Sequence, residues 1–320
     1  MMGYYMIIES FQKAGGMFMK FTARTKGILL MVLSACSFSL MSIAVKLTGS
    51  TIPVFEQVFF RNIVIVTVAG CYLLCHKIPL FGPREHQLAM FGRSLFGITG
   101  VVVSFMATNA GNQADVSIMS RLSPFLITVF SVLFLKEKMT KVQIPALLLA
   151  FGGAFLVANP KFNSDMYPIL LALACSLISS FAYTLVGYLK GKADPMSIVM
   201  HLGAVSVVLM IPAMLLTTGF VVPTWQELAL LLLIGVFGAG GQIALTYAYK
   251  LADAGEVSIY SNTNIIFSAL LGWLVLGETI ALNTLLGGLL VLTAMVLVYV
   301  FGRKEKEAAA RKAEAAKNEQ

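Results

Sequence analysis

Residues 114–137 read ADVSIMSRLSPFLITVFSVLFLKE, a mostly apolar stretch that contains Arg121 and Pro124. An arginine near the centre of a membrane-spanning helix costs roughly 2.5 to 3.5 kcal/mol, and a proline there removes a backbone hydrogen bond. A shift of 141 positions repeats much of this pattern, from the VSI near its start to the glutamate at its end. The two copies differ at the costly positions, where Asn262 and Ile265 replace Arg121 and Pro124. The chain therefore contains one structural unit twice, with different chemistry in each copy.

The composition is that of an all-α polytopic membrane protein. The chain has 320 residues, of which 58% are hydrophobic and 12% are charged, and its mean hydropathy is +0.86. In soluble domains about a quarter of all residues are normally charged. The net charge of +8 is spread over loops and a tail rather than over one folded face, so nucleic acid is not an expected partner. The four cysteines all lie in apolar runs, which disfavours a disulfide framework.

Ten stretches are apolar and close enough to twenty residues in length to cross a bilayer as helices. Two sets of five spans follow the internal repeat. Because five is an odd number, the second set enters the membrane from the opposite side, which gives a 5+5 inverted-topology repeat. The predicted spans are 27–47, 57–75, 87–108, 114–135, 142–159, 167–189, 196–217, 227–249, 255–276 and 281–301.

The orientation follows from the lysines and arginines in the loops, because positive residues resist translocation. Nearly all of them fall on one side of the predicted membrane, and only Lys161 falls on the other. We therefore expect both termini in the cytoplasm and the protein in the cell (inner) membrane. The expected divisions of the chain are an N-terminal leader 1–25, a first five-helix repeat 26–159, a second five-helix repeat 167–301 and a charged tail 302–320.

Three tracts carry a resemblance to a known family. They are Asn109-Ala110-Gly111-Asn112-Gln113-Ala114 leading into Ser123-Pro124-Phe125, the ending Leu133-Phe134-Leu135-Lys136-Glu137, and the matching ending Leu274-Val275-Leu276-Gly277-Glu278-Thr279. Over residues 26–301 the chain resembles the EamA-type transporters of the drug/metabolite transporter superfamily. The resemblance implies a permease that exports amino acids or other metabolites, although the family also contains uptake carriers. Ile265 stands where a proline is common, so the resemblance leaves open whether the ninth span bends.

Arg121 is the first candidate for substrate binding. It lies about 10 Å below the outer boundary at 1.5 Å per residue, with Ser117 one turn earlier on the same face. Pro124 leaves the carbonyl of Ser120 without its helical donor. We interpret this face as part of the substrate path, and the alternative is an arginine paired to backbone carbonyls or to a helix end.

Two further arginines lie within predicted spans. Arg93 either lines the inner vestibule and assists in binding or anchors its helix at the interface, because it is close enough to the cytoplasmic end to snorkel. Arg61 either faces the interior or snorkels outward, and Glu56 is a possible partner for it. Since no Asp or Glu lies deep in any span, the arginines favour a substrate with a carboxylate or another anionic group.

The second repeat offers neutral polar groups in place of arginine. Asparagine both donates and accepts hydrogen bonds, so it suits amide, carbonyl or hydroxyl groups on a ligand. Hydrogen bonds between helices are the alternative role. The candidate substrate-binding residues of this kind are Asn262, Asn264, Tyr260, Gln242, Tyr247 and Tyr183. Small residues and Pro124 serve helix packing or hinges, and the candidates are Gly97, Gly100, Gly238 and Gly241.

These features predict an alternating-access transporter for a small carboxylate-bearing or zwitterionic metabolite such as an amino acid. Through the resemblance, export is preferred. The alternative is import of a larger anionic or zwitterionic cofactor-like metabolite. A membrane enzyme or scaffold has less support, because the sequence shows no nucleophile–base pair, metal-ligand spacing or phosphate loop. We therefore expect no catalytic residue, metal or cofactor.

Overall fold

The computed structural model describes residues 21–48, 51–110, 122–158, 166–217, 219–277 and 282–318. The described backbone is almost entirely helical and contains no strand. Its long helices are α1 Ala23–Thr48, α2 Val54–Cys75, α3 Gln87–Ala110, α4 Ser123–Leu135, α5 Gln143–Ala158, α6 Met166–Tyr188, α7 Pro195–Thr217, α8 Trp225–Leu251, α9 Thr263–Leu276 and α10 Leu282–Asn318.

Seven of these helices, α1, α2, α3, α6, α7, α8 and α10, contain a stretch long and apolar enough to cross a membrane. The helices α4 and α5 are apolar but shorter, and α9 has 14 residues. The first part of the predicted fourth span lies outside the described residues. The all-helical, multi-pass prediction is confirmed, whereas the number of ten crossings stays a prediction.

The ends of α4 and α9 correspond to each other across the repeat. Lys136 follows α4 in the left-handed conformation, with φ of 56°, and its N–H donates to Ser131 O. At the position 141 residues later, Gly277 follows α9 with φ of 68°, and its N–H donates to Gly272 O. Left-handed residues commonly terminate helices, and glycine adopts that conformation without steric cost.

The segment before α9 departs from the continuous span that the sequence predicts. A short helical turn, Ala254–Val257, leads into a 3-10 stretch, Ser258–Asn262, before α9 begins. Side chains in this stretch donate to carbonyls three residues earlier, among them Ser261 Oγ to Ser258 O at 2.7 Å. Such local bonds compete with regular helical bonds. The ninth span is therefore interrupted even though Ile265 replaces the proline.

The helix packing is symmetric between the two halves of the chain. The main helix contacts are α1 with α8 and α3 with α6, α4 with α6 and α9 with α1, α2 with α8 and α3 with α7, α2 with α7, and α5 with α10. Adding five to each first-half number, and subtracting five from each second-half number, reproduces the same set. The halves therefore pack around a pseudo-twofold axis.

Hydrogen bonds between α1, α3, α4, α6, α8 and α9 follow the same symmetry at the 141-residue shift. The shift thus holds for the first helices of each half as well as for the later ones. The bonds are Ser34 Oγ to Gly241 O (2.7 Å) with its equivalent Cys175 Sγ to Gly100 O (3.3 Å), and Ser39 Oγ to Asn264 O (3.3 Å) with its equivalent Ser180 Oγ to Ser123 O (3.1 Å).

The bundle carries its apolar residues on the outside and many of its polar residues on the inside. Leu33, Leu148 and Leu289 are each more than half exposed, whereas Arg93 and Gln242 are buried. In water such an outer surface would drive aggregation, but in a bilayer the lipid tails cover it. The interior is therefore the place where polar chemistry collects.

Candidate functional site

A cavity of about 670 Å³, hereafter the main cavity, lies between α1, α2 and α3 of the first half and α6, α7 and α8 of the second. Small-molecule sites typically occupy about 300 to 1,000 Å³. The main cavity reaches the end of the bundle at which α1 ends and α2 begins, because Lys46 and Val54 line it there. Its size and position suit a small ligand held between the two halves.

Arg61 of α2 and Arg93 of α3 line the main cavity. Their side chains are 9% and 2% exposed, and neither Nε atom has a hydrogen-bond partner. Among the described residues no carboxylate lies within ion-pair distance of either guanidinium. A buried charge is costly unless it is paired. Within the described part of the chain, neither arginine therefore has a carboxylate partner, and an anionic ligand can neutralise the charge.

Two glycines make room for these arginines. A Cβ atom at Gly238 of α8 would meet Arg61 Nε at 2.8 Å and Cγ at 2.9 Å. A Cβ atom at Gly97 would collide with Arg93 Nη1, one turn further along α3. Helical side chains normally lean toward the N-terminus, so Arg93 is turned the opposite way, toward the middle of the bundle. Its guanidinium lies 5.7 Å from the centre of the Tyr183 ring, within range of a cation–π contact.

The arginines break the symmetry of the main cavity. At the 141-residue shift, Leu202 corresponds to Arg61 and Ile234 to Arg93, and both also line the cavity. Leu202 contacts Gly97 as Arg61 contacts Gly238, with Leu202 Cδ1 3.1 Å from a Cβ placed at Gly97. The backbone framework is thus shared, and the positive charge is confined to one side.

A second cavity of about 310 Å³, hereafter the side cavity, adjoins the main one. Tyr183 and Ser179 line both cavities. Asn262 and Asn264 line the side cavity together with hydroxyl groups, and no charged residue of the described part of the chain lines it. The Asn264 amide donates to Ser39 Oγ at 2.7 Å. The two cavities therefore differ in chemistry, with cations in one and neutral polar groups in the other.

The structure brings together several of the residues that the sequence singles out. Arg93, Gln242 and Tyr183 line the main cavity, as do Gly97 and Gly100. Pro124 lines the side cavity with the two asparagines. Arg121 and Ser117 lie outside the described residues. Gly241 lies against Phe38, whose ring would be 2.9 Å from a Cβ at that position, so its role here is close helix packing.

Two predicted residues lie elsewhere. Tyr260 is buried in the main hydrophobic core, and its hydroxyl donates to Met295 O at 3.4 Å. Tyr247 lines neither cavity and packs against the hydrophobic cluster around Ile65, with Lys250 Nζ 5.7 Å from the centre of its ring. Both therefore occupy packing positions rather than either cavity.

Arg61 is a residue for which the sequence left two alternatives open, an interior-facing side chain or one that snorkels outward. Snorkelling and a pair with Glu56 were both possible, and the structure shows neither. Glu56 Oε2 instead accepts from the Val221 N–H at 3.1 Å, and Arg61 turns into the main cavity beside Gly238. The repeat relates Gly97 to Gly238 in the sequence, but the contact of Gly238 with Arg61 of another helix is set by the tertiary structure. Gln57 and Asn62 also line the main cavity, and the sequence analysis did not select them.

The opposite end of the bundle, where α1 begins, has a different arrangement, hereafter the paired end. Arg24 Nε donates to Glu256 Oε1 at 2.5 Å, and Arg24 Nη2 donates to Val298 O and Tyr299 O at 3.2 and 3.3 Å. Nearby, the Glu137 carboxylate accepts from two backbone N–H groups. No residue of the paired end lines the main cavity.

Burial raises the pKa of Glu137, and its hydrogen bonds from the N–H groups of Gly255 and Ala254 oppose that rise. These bonds are 3.0 and 2.9 Å long. They satisfy two backbone donors at the start of the short helical turn, as an acidic cap does. Glu137 thus joins the end of α4 to the interrupted ninth span.

Comparisons with known proteins agree with this arrangement. The pseudopaline exporter CntI of Pseudomonas aeruginosa is 32% identical over 273 residues, 84% of this chain and 94% of that protein. A riboflavin transporter of Rhizobium johnstonii is 28% identical over 281 residues, 85% of this chain and 90% of that protein. A solved crystal structure with 16% identity superposes with a TM-score of 0.76 over 88% of this chain and 98% of its own, which supports the fold.

The sequence pattern of the EamA-like transporter family matches the chain twice, at residues 25–159 and 166–300. Each match covers one of the two halves that the packing relates by symmetry. The relatives named above are transporters rather than enzymes. The chain therefore belongs to the EamA-like transporter family, within the drug/metabolite transporter superfamily, and is a multi-pass membrane transporter.

Proposed function

We propose that this transporter moves a small carboxylate-bearing or zwitterionic metabolite, such as an amino acid, by alternating access. The observation that carries the proposal is the pair of buried arginines in the main cavity, whose Nε atoms have no hydrogen-bond partner. A buried charge without a partner is costly to keep. An anionic group on the substrate offsets that cost whenever the site is occupied.

The proposed architecture is ten spans in two inverted sets of five, with repeats at 26–159 and 167–301. The symmetric packing of α1 to α5 against α6 to α10 supports it. Two similar bundles of opposite orientation can expose a central site to either side by rocking. The leader 1–25 and the charged tail 302–320 belong to neither repeat in this proposal.

The proposed location is the inner membrane, with both termini in the cytoplasm. The distribution of lysine and arginine between the loops supports this orientation. In this orientation α1 ends at the outer surface, so the main cavity, lined by Lys46 and Val54 at that end, opens outward. The paired end then closes the cytoplasmic side.

Export is the direction that we propose, and the relation to an exporter at 32% identity supports it. Import of a larger anionic or zwitterionic cofactor-like metabolite is the second candidate. The volume of about 670 Å³ and the relation to a riboflavin transporter favour that alternative.

In the proposed site, Arg121 contacts the anionic group, Asn262 and Asn264 face Arg121 across the pseudo-twofold axis, and Arg93 assists on the cytoplasmic side. Uptake and counterflow of radiolabelled carboxylates in proteoliposomes would test this. We expect Arg121→Ala to weaken substrate binding and Arg121→Lys to weaken it less, because lysine keeps the charge but loses the bidentate geometry. Unchanged affinity in both variants would remove Arg121 from the site.

The same vesicles decide the direction of transport. Loading substrate inside or outside, with the orientation of the protein fixed by protease accessibility of the tail, separates export from import. No transport of any carboxylate in either direction would contradict the proposed function.

A further inference from the structure

The main cavity has a charge pattern that one carboxylate cannot balance. Arg61 and Arg93 line its interior on different helices, and Lys46 lines it at the end of the bundle. None of the described residues that line it is Asp or Glu. A single anionic group would neutralise one arginine and leave the other buried without compensation, which remains costly.

The two guanidinium groups have different neighbours. Arg61 lies in the space left by Gly238 of α8, and Arg93 lies beside Gly97 and over the ring of Tyr183. A guanidinium pairs most strongly with a carboxylate through two parallel hydrogen bonds. Because these neighbours lie on different helices, each guanidinium can form such a pair with a carboxylate of its own.

The side cavity offers the opposite chemistry. It is lined by Asn262, Asn264 and hydroxyl groups, and no charged residue of the described chain lines it. Tyr183 and Ser179 border both cavities, so one ligand can occupy them together. An acidic end in the main cavity would then continue into a neutral polar or aromatic part in the side cavity.

We propose that the substrate carries two anionic groups, one bound by Arg61 and the other by Arg93, and that Gly238 and Gly97 are positioning residues for this pair. The inference rests on the proposed transport of carboxylate-bearing metabolites and narrows the substrate class to dianions with a neutral end. It adds Arg61, Gly238 and Gly97 to the residues that determine specificity.

Pairs of nearly isosteric ligands that differ by one negative charge test the proposal. Glutarate, glutamate and N-acetylglutamate are each compared with the corresponding monoamide, in which a neutral amide replaces one carboxylate. Binding of each probe to the purified full-length protein is measured by calorimetry, and uptake is measured in proteoliposomes. We expect each dicarboxylate to bind at least about tenfold more tightly than its monoamide, because the loss of a hydrogen-bonded charge typically has an effect of this size.

Variants assign the discrimination to the named residues. In Arg61→Gln and in Arg93→Gln the preference for the dicarboxylate over the monoamide should fall toward onefold. The affinity for the monoamide should fall less than the affinity for the dicarboxylate. Gly238→Ala should reduce the same preference, because its Cβ would displace Arg61. Gly240→Ala is the matched control on the same helix, since the nearest atom to its Cβ is Ser37 Oγ at 3.8 Å, and it should bind as the wild type does.

The outcomes separate this inference from the proposed function. Equal binding of dicarboxylates and monoamides to the wild type would overturn the two-anion site while leaving carboxylate transport intact. An unchanged preference in both arginine variants would also overturn it, provided that their thermal unfolding shows folded protein. If no carboxylate of the panel binds or is transported, both the inference and the proposed function fail.

Discussion

Arg24 and Arg61 are both arginines on apolar helices, but their surroundings differ. At the paired end, Arg24 reaches Glu256, two carbonyl oxygens and the ring of Tyr299. In the main cavity, the Nε atoms of Arg61 and Arg93 have no hydrogen-bond partner. A cation with protein partners stabilises the fold, whereas a cation facing a cavity without partners costs stability and is available to a ligand. Arg24 is thus paired within the fold, whereas Arg61 and Arg93 face the cavity that we propose as the substrate site.

The two halves of the main cavity sharpen this comparison. Leu202 corresponds to Arg61 in the second half and contacts the corresponding glycine. The equivalent position of the second half is therefore filled by a shorter, apolar side chain. The shared framework does not require an arginine there, which is the basis on which we propose Arg61 for binding.

The largest expected effect follows from giving position 61 the residue found at its equivalent. Arg61→Leu should reduce transport by about 10- to 100-fold, because a hydrogen bond to a charged group is worth about 1.5 to 3 kcal/mol. It should not lower thermal stability, since it removes a buried unpaired charge. Uptake in proteoliposomes and thermal unfolding in detergent, measured on one preparation, give both quantities. A destabilised variant would assign Arg61 to the fold. A variant that transports normally would remove Arg61 from the proposed site.

An intermediate effect is expected at the paired end. Glu256→Gln should lower the free energy of unfolding by about 1 to 3 kcal/mol, below the full value for a buried pair because Arg24 is 19% exposed. A double-mutant cycle with Arg24→Gln isolates the pair itself. Substrate preference between dicarboxylates and monoamides should stay unchanged.

The control for this variant is the more exposed pair between Lys190 and Asp253, whose atoms lie 3.6 Å apart. Lys190→Gln should change stability by less than about 1 kcal/mol, as surface pairs do. Equal effects of Glu256→Gln and Lys190→Gln on the free energy of unfolding would show that burial does not strengthen the ion pair at the paired end.

The smallest expected effect is a pH dependence from Glu137. Burial raises the pKa of its carboxyl above the ordinary value of 4.5, so between that value and the raised pKa the folded state binds more protons than the unfolded state. Stability should therefore fall as the pH rises through this window. The difference in thermal unfolding between wild type and Glu137→Gln, followed from about pH 4 to about pH 8, should show this slope in the wild type only. Parallel curves would contradict it.

Much of the fold was accessible from sequence because hydrophobicity and internal repetition are local signals. The 141-residue shift, first seen in the spans around Arg121 and Asn262, also relates the Ser34 and Cys175 hydrogen bonds in the first helix of each half. The interruption before α9 was left open by the sequence. It depends on side-chain bonds such as that of Ser261, which compete weakly with helical bonds.

The candidate site was only partly accessible. Arg93, Tyr183 and Gln242 were selected because polar groups in a membrane helix are costly and tend to face the interior. Tyr260 and Tyr247 satisfied the same rule, yet one donates to a backbone carbonyl in the core and the other packs beside Lys250. Hydrogen bonding between helices meets the same energetic need as a cavity does, and a sequence does not distinguish the two.

The sequence by itself determined an all-helical membrane protein with two related halves, in which only the first half has arginines inside its predicted spans. It did so because bilayer thickness and the cost of polar groups in lipid act on each segment separately. The tertiary structure decided which arginines are paired. Arg24 meets Glu256 from the far half of the chain, and Arg61 meets a glycine of α8 and open space. Pairing depends on side chains brought together from distant segments, and only the packed helices fix those contacts.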